Sequence, residues 1–221
     1  MTVTYKTTQA KSLLRKQKYI DSWFISCYSM NLYRGCEHNC AYCDGRSEKY
    51  QVHDEFNCEI HIKENAPELL KKELDPSRKR KPMQKSFIFL GGGVSDSYQP
   101  AEEKYAITNK ILQIISENEF PVHILTKSDL VLRDLDLLKK INQKSKVIIS
   151  FSFSTVNKEH SDVFEPGASS PEQRLRAIKT ITGEGIAAGI FLMPVVPFVT
   201  DSEEDMYKTI HAAKQAGALF V

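Results

Sequence analysis

Cys36, Cys40 and Cys43 stand within eight residues of one another, in the run Arg34-Gly35-Cys36-Glu37-His38-Asn39-Cys40-Ala41-Tyr42-Cys43-Asp44. The spacing is C-x3-C-x2-C. It commits this part of the chain to a short loop whose three thiolates can hold three irons of a 4Fe–4S cluster. Such clusters are normally held by four cysteines. A three-cysteine site therefore leaves one iron open to an outside ligand, as catalytic metal sites keep one position free. A structural zinc knuckle is a poorer fit, because zinc sites pair two separated half-sites into four ligands. Here one trio stands alone, with His38 inside it as the nearest extra ligand. A disulfide framework fits less well still. The total of five cysteines is odd, and the chain of 221 residues is far longer than a disulfide scaffold. Cys27 and Cys58 lie outside the motif and read as small buried hydrophobes.

The rest of the chain bounds the setting. Its hydrophobic content of 41% and charged content of 26% suit a globular domain with one sizeable core. Thirty basic against 28 acidic residues give a net charge of +2, which neither demands nor excludes a nucleic-acid partner. The first residues carry no apolar core of a signal peptide. The most apolar stretch, Gly185 to Val199, is broken by Pro194 and Pro197 and is too short to span a bilayer. The expectation is no membrane and a reducing, cytoplasmic setting.

Residues 1–28 are polar and basic and read as an N-terminal extension, a solvated arm. Residues 29–221 read as the core domain. From Met30 onward, short apolar runs alternate with amphipathic segments, the pattern of βα units around a parallel sheet. Strands are expected at 29–33, 86–90, 122–126, 147–153 and 186–193, with an accessory strand at 59–63. Helices are expected from Asn65, over 101–118, from Ser170 with a Ser/Gln capping box, and from Ser202 to Gly217. Residues 218–221 read as the start of a sixth strand. The fold class expected is α/β, a partial (β/α)6 TIM-like barrel cut short at that strand. The basic run Arg78 to Lys81 reads as an exposed loop.

Barrel enzymes build their sites at the C-terminal ends of the strands. The cysteine loop follows the first expected strand. Gly91, Gly92, Gly93, Ser95 and Asp96 follow the second, Lys127 the third, Ser152 and Ser154 close the fourth, and Met193 and Pro194 the fifth. Glycines let backbone approach a ligand closely, although a triple glycine is also a plain turn signal. Ser95 and Asp96 read either as ligand contacts or as a helix cap.

The cysteine spacing, with Tyr42 before the third cysteine, resembles the radical S-adenosylmethionine signature. Asn31-Leu32-Tyr33-Arg34-Gly35, the Gly91–Pro100 segment, Leu125-Thr126-Lys127-Ser128 and Phe164-Glu165-Pro166-Gly167 together resemble the spore photoproduct lyase-like branch of that superfamily. The resemblance implies a radical S-adenosylmethionine core with a 4Fe–4S cluster on Cys36, Cys40 and Cys43, and S-adenosylmethionine chelating the open iron. It implies that Gly91, Gly92 and Gly93 meet the methionyl ammonium and Lys127 the carboxylate. Ser152, with Ser154 as the alternative on the same strand face, would meet the ribose or carboxylate, Ser95 and Asp96 the amino or ribose groups, and Tyr42 the adenine. It further implies reductive cleavage to a 5′-deoxyadenosyl radical, an electron donor of flavodoxin or ferredoxin type, and hydrogen abstraction from an unidentified substrate, with lyase chemistry akin to DNA photoproduct repair among the options. The branch carries a hydrogen-donating cysteine where this chain has Gly93, so the substrate stays open, nucleic acid included. The other class consistent with these residues is a non-catalytic metal-binding or nucleic-acid-binding module.

Overall fold

Two sheets organise the molecule, and the larger is wound almost entirely in chain order. The structure is a computed structural model and describes residues 2–47, 56–77, 83–91 and 95–221. The strands are β1 (Thr4–Thr8), β2 (Arg15–Asp21), β3 (Ser26–Met30), β4 (Tyr33–Arg34), β5 (Glu59–Lys63), β6 (Phe87–Leu90), β7 (Val122–Thr126), β8 (Val147–Phe153) and β9 (Ala187–Leu192). The large sheet runs β2-β3-β6-β7-β8-β9, and a small one runs β1-β5-β4. Strands β3, β6, β7, β8 and β9 are parallel neighbours. All their C-terminal ends therefore lie on one side.

Local sequence explains the elements. In β8, Val-Ile-Ile-Ser-Phe-Ser-Phe is buried at all but one position, as a strand covered on both faces should be. The helices are α1 (Ala66–Leu74), α2 (Ala101–Tyr105), α3 (Ile107–Glu117), α4 (Leu135–Lys144), α5 (Lys158–Phe164), α6 (Pro171–Gly183) and α7 (Glu203–Gln215). Helix α3 buries Ile107, Ile111, Leu112, Ile114 and Ile115 along one stripe. Helix α6 opens on the expected capping box: Ser170 Oγ accepts from Gln173 N, and Gln173 Oε1 accepts from Ser170 N. The result is the α/β architecture expected, a parallel sheet consistent with a partial TIM-like barrel. After α7, Leu219 N donates to Ala188 O (2.9 Å) and Ile190 N to Phe220 O (3.1 Å), so the last residues run beside β9.

Two expectations need correction. Residues 1–28 are not a solvated arm. Strand β1 pairs in parallel with β5, and β2 pairs antiparallel with β3. Their polar, exposed faces hid them, because edge strands keep most side chains in water. The helix expected over 101–118 is two helices. Ala106 takes a left-handed conformation, φ +49°. The buried Glu102 carboxylate then accepts from Thr108 N (2.9 Å) and Asn109 N (3.3 Å), capping the start of α3. Among the described residues no helix is long and apolar enough to cross a membrane. The basic run Arg78–Lys81 lies outside the described residues.

Candidate functional site

The cysteine loop leaves the small strand β4 and folds back over the C-terminal ends of the large sheet. A cavity of about 310 Å³ opens there. It is lined by Cys36, Cys40 and Cys43 together with Tyr42, His38, Asp44, Ser95, Asp96, Thr126, Lys127 and Ser152. Phe24, Leu125, Met193 and Pro194 supply apolar surface. Phe24 forms the floor. It stacks on Phe89 at 4.2 Å between ring centres and packs against His123 and Phe191.

A second segment, Phe164 to Gly167, braces the loop from outside. Ala41 N donates to Phe164 O (2.8 Å), Gly167 N donates to His38 O (3.0 Å), and His38 Nδ1 lies 2.9 Å from Gly167 O. A Cβ at Gly167 would stand 2.2 Å from Glu37 O, so only glycine lets the two backbones meet. On the other side Glu37 accepts from Tyr5 OH in β1 (2.9 Å) and from Ala101 N (2.6 Å). The N-terminal segment thus reaches the site.

The polar residues expected here differ in how much of their bonding is free. Asp96 is buried; Oδ1 accepts from Tyr98 N and Thr126 Oγ1, and Oδ2 from Lys127 N, each at 2.8 Å. His38 Nε2 lies 3.2 Å from Oδ2 but makes no hydrogen bond there, and that nitrogen has no other hydrogen-bond partner. Burial alone would raise the Asp96 carboxyl; the neighbouring His38 imidazole and the Tyr98 and Lys127 amides outweigh it and hold it below the ordinary aspartate value. Asp96 thus ties strand ends together, and it is not the cap of α2. Ser95 Oγ donates to Tyr33 O (3.0 Å). Lys127 Nζ donates to Ser152 Oγ (2.6 Å) and sits 5.6 Å from the centre of the Tyr42 ring. Ser152 Oγ in turn donates to Met193 O (2.8 Å). Ser154 bonds Glu165 (3.1 Å) and is not among the cavity-lining residues. Gly91 is buried at the end of β6 beside Leu125, also off the lining. Gly92 and Gly93 lie outside the described residues.

Two residues carry the site that sequence reasoning left without a role. Glu165, in the bracing segment, is buried and accepts from Tyr42 OH. It pairs with Arg174 of α6 at 2.5 Å. Burial would raise its carboxyl, yet the charges of Arg174 and Lys127 and the Tyr42 hydrogen bond bring it below the usual glutamate range. Burial, with Glu165 beside it, pushes the Tyr42 hydroxyl far up. No spacing predicts a contact across 123 residues. Arg174 did leave a signal: it stands on the buried stripe of α6 with Pro171, Ala177, Ile178 and Ile181.

The donor set is three thiols of one loop that line one cavity, the chemistry that can hold an iron–sulfur cluster. A cluster asks for spread thiolates, since its cysteines take different irons. Without metal, burial pushes the Cys40 thiol up to about 11 against the pull of Lys127, and holds Cys36 far above its ordinary value. A coordinating thiol is deprotonated outright, so loading releases protons.

A family model described as the Radical SAM superfamily matches residues 30–210. The chain belongs to the radical SAM superfamily. Enzymes of this superfamily use a 4Fe–4S cluster and S-adenosylmethionine. Similar curated proteins include Uncharacterized protein Rv2578c of Mycobacterium tuberculosis, 32% identical over 196 residues and 86% of this chain. Uncharacterized protein MJ0683 of Methanocaldococcus jannaschii is 33% identical over 177 residues and 80% of this chain. These alignments span 56% and 63% of the relatives, so the chain spans little more than half the length of the curated relatives it matches. In fold, the chain is similar to a point mutant of spore photoproduct lyase (TM-score 0.71, 19% identity, 96% of this chain and 57% of that one). It is likewise similar to spore photoproduct lyase complexed with dinucleoside spore photoproduct (TM-score 0.65, 20% identity, 87% and 52%).

Proposed function

We propose that this chain holds a 4Fe–4S cluster on Cys36, Cys40 and Cys43 and binds S-adenosylmethionine in the adjoining cavity to act as a radical enzyme. The observation that carries this reading is the single cavity shared by all three thiols and by Lys127, Ser152, Ser95 and Tyr42. When bound, the pair supplies one-electron reductive cleavage of the sulfonium and hydrogen abstraction from a substrate. The protein's own work is to bind and orient. Lys127, fixed by Ser152, offers remaining ammonium donors to a carboxylate. Ser95 Oγ keeps accepting capacity for an amino or ribose group. Tyr42 on the cavity wall is assigned the adenine, and the assignment of Gly91, Gly92 and Gly93 to the methionyl ammonium is carried by the family resemblance alone. Asp96, saturated by its own neighbours, shapes the wall. Phe24, Leu125, Met193 and Pro194 exclude water.

An electron donor of flavodoxin or ferredoxin type would supply the electron that reduces the cluster and, through it, the sulfonium, in a cytoplasmic setting that keeps the thiols reduced. The fold likeness to a protein solved with a dinucleoside photoproduct supports a lyase-like reaction on a nucleic-acid substrate. Gly93 in place of a hydrogen-donating cysteine argues for a substrate other than that photoproduct. The test is anaerobic iron–sulfide reconstitution, reduction with dithionite, and assay for 5′-deoxyadenosine. Product that vanishes in Cys40→Ala supports the reading. A formed cluster without product favours a metal-binding module that does not turn over, and zinc in place of iron removes the basis of the proposal.

A further inference from the structure

We infer that Glu165 is a positioning residue: anchored by Arg174, its carboxylate holds Tyr42 of the cysteine loop and Lys127 of the facing strand end in fixed relation, shaping the cavity before any ligand enters. The inference deepens the function proposed above, and rests on it for what the cavity binds.

Glu165 does not line the cavity, so it acts through residues that do. Oε1 accepts from Tyr42 OH and from Ser154 Oγ (3.1 Å) and lies 4.0 Å from Lys127 Nζ. Oε2 takes Arg174 Nη2 at 2.5 Å. One carboxylate thereby joins the loop that bears Cys40 and Cys43, the end of β8, and the cation at the end of β7. Arg174 reaches Lys127 by a second route. Its Nη1 donates to Ser152 O (2.5 Å), and Ser152 Oγ accepts from Lys127. Arg174 is fully buried and stacks over Phe153 at 4.5 Å, which leaves its guanidinium little freedom. A buried ion pair is weak support for stability, because desolvation offsets the attraction. Its value here is the geometry it imposes. Both lysine and tyrosine are long side chains that would otherwise sample several rotamers, and a site works when its supporting residues remove that freedom.

The inference is tested on the metal-free chain by anhydride labelling of lysines and maleimide labelling of cysteines, read by mass spectrometry under anaerobic conditions. In Glu165→Gln, Lys127 and Cys43 are expected to label about tenfold faster, the ratio set by a tie of about 1.4 kcal/mol, while Lys158 and Cys27 keep their rates. Unchanged rates at Lys127 and Cys43 in the folded variant overturn it. If Glu165→Gln loses its fold, every lysine accelerates. The double variant Glu165→Leu, Arg174→Met then removes both charges at once, a replacement that cores often accept. Acceleration confined to Lys127 and Cys43 supports the inference there, and its absence overturns it.

A second readout titrates S-adenosylmethionine against the cluster-loaded chain and follows the cluster's EPR signal. Lys127→Gln and Glu165→Gln are each expected to weaken binding, and the double variant to lose less than the sum, because part of the glutamate's effect runs through the lysine. Additive losses mark a merely structural glutamate and overturn the inference. A loaded wild-type chain that shows no response to S-adenosylmethionine contradicts the proposed function, while the labelling result stands on its own.

Discussion

Two arginine–carboxylate ties hold this molecule, one reaching in from the surface and one wholly buried, and they differ in how completely they are satisfied. Away from the cavity, Arg133 bonds Glu102 Oε1 (2.7 Å) and Asp134 Oδ2 (2.8 Å). Glu102 also takes Tyr33 OH and the α3 amides, and Asp134 takes Tyr98 OH (3.0 Å) and Asn109 Nδ2 (2.7 Å). One cation faces two carboxylates, and every acceptor is used. At the cavity, Arg174 faces one carboxylate and two neutral oxygens, and its Nε has no hydrogen-bond partner. His38 Nε2, on the cavity lining, is likewise without one, so two of the three such buried nitrogens among the described residues line or brace this site. The same residue types thus serve two ends. In the first network every acceptor is used, whereas in the second two buried nitrogens stay without a hydrogen-bond partner.

The largest effect that would break the contrast is expected at the saturated tie. Arg133→Met leaves two buried carboxylates without their partly solvated cation and should cost about 1–3 kcal/mol in denaturant unfolding, with cluster content per folded chain unchanged. A loss of cluster loading in the folded fraction would erase the distinction. Next, Gly167→Ala forces the bracing segment off the cysteine loop. A cost of about 1–3 kcal/mol is expected, with slower iron incorporation followed by absorbance. Ser170→Ala removes the cap of the helix that carries Arg174 and should cost about 1 kcal/mol. Hydrogen exchange at the start of α6 and at Ala41 should rise together, since Arg174 transmits the change; a rise in α6 alone would uncouple them.

The smallest effect concerns the cavity floor. Burial holds His123 below its ordinary value, with the Phe24 carbonyl (2.7 Å) acting against the shift. The unfolded chain binds the proton more readily, so stability should be flat above pH about 6.5 and fall as pH drops below it toward the folded value. His123→Phe should flatten that slope in melting curves taken across the window.

How much of this was legible in the sequence follows from range. Strands β5, β7 and β8 coincide with the expected 59–63, 122–126 and 147–153, because their apolar patterns are local and continuous. The Ser170 cap is equally local. Strands β1 and β2 carry no such pattern: each is an edge with a mostly exposed face. Ala106 breaks a helix through a glutamate whose burial depends on Tyr33, 69 residues away. At the site, the expected Cys36, Cys40, Cys43, Tyr42, Ser95, Asp96, Lys127 and Ser152 share one cavity. Each belongs to a strand end or to the loop, which periodicity can mark. Glu165 and Arg174 escaped because their meaning lies in contacts that exist only once the sheet has closed around them.

That long reach has a temporal side. The cysteine loop is made early, and the residue that pins its tyrosine comes 123 positions later. At synthesis rates of about 5–20 residues per second, the thiols wait roughly 6–25 s for their brace. During that interval Cys36, Cys40 and Cys43 sit on an unlatched segment of a nascent chain, open to stray metal and to oxidation. A cluster loaded as proposed would meet an unbraced loop until Arg174 has emerged and docked, so loading is expected to finish only once helix α6 is in place.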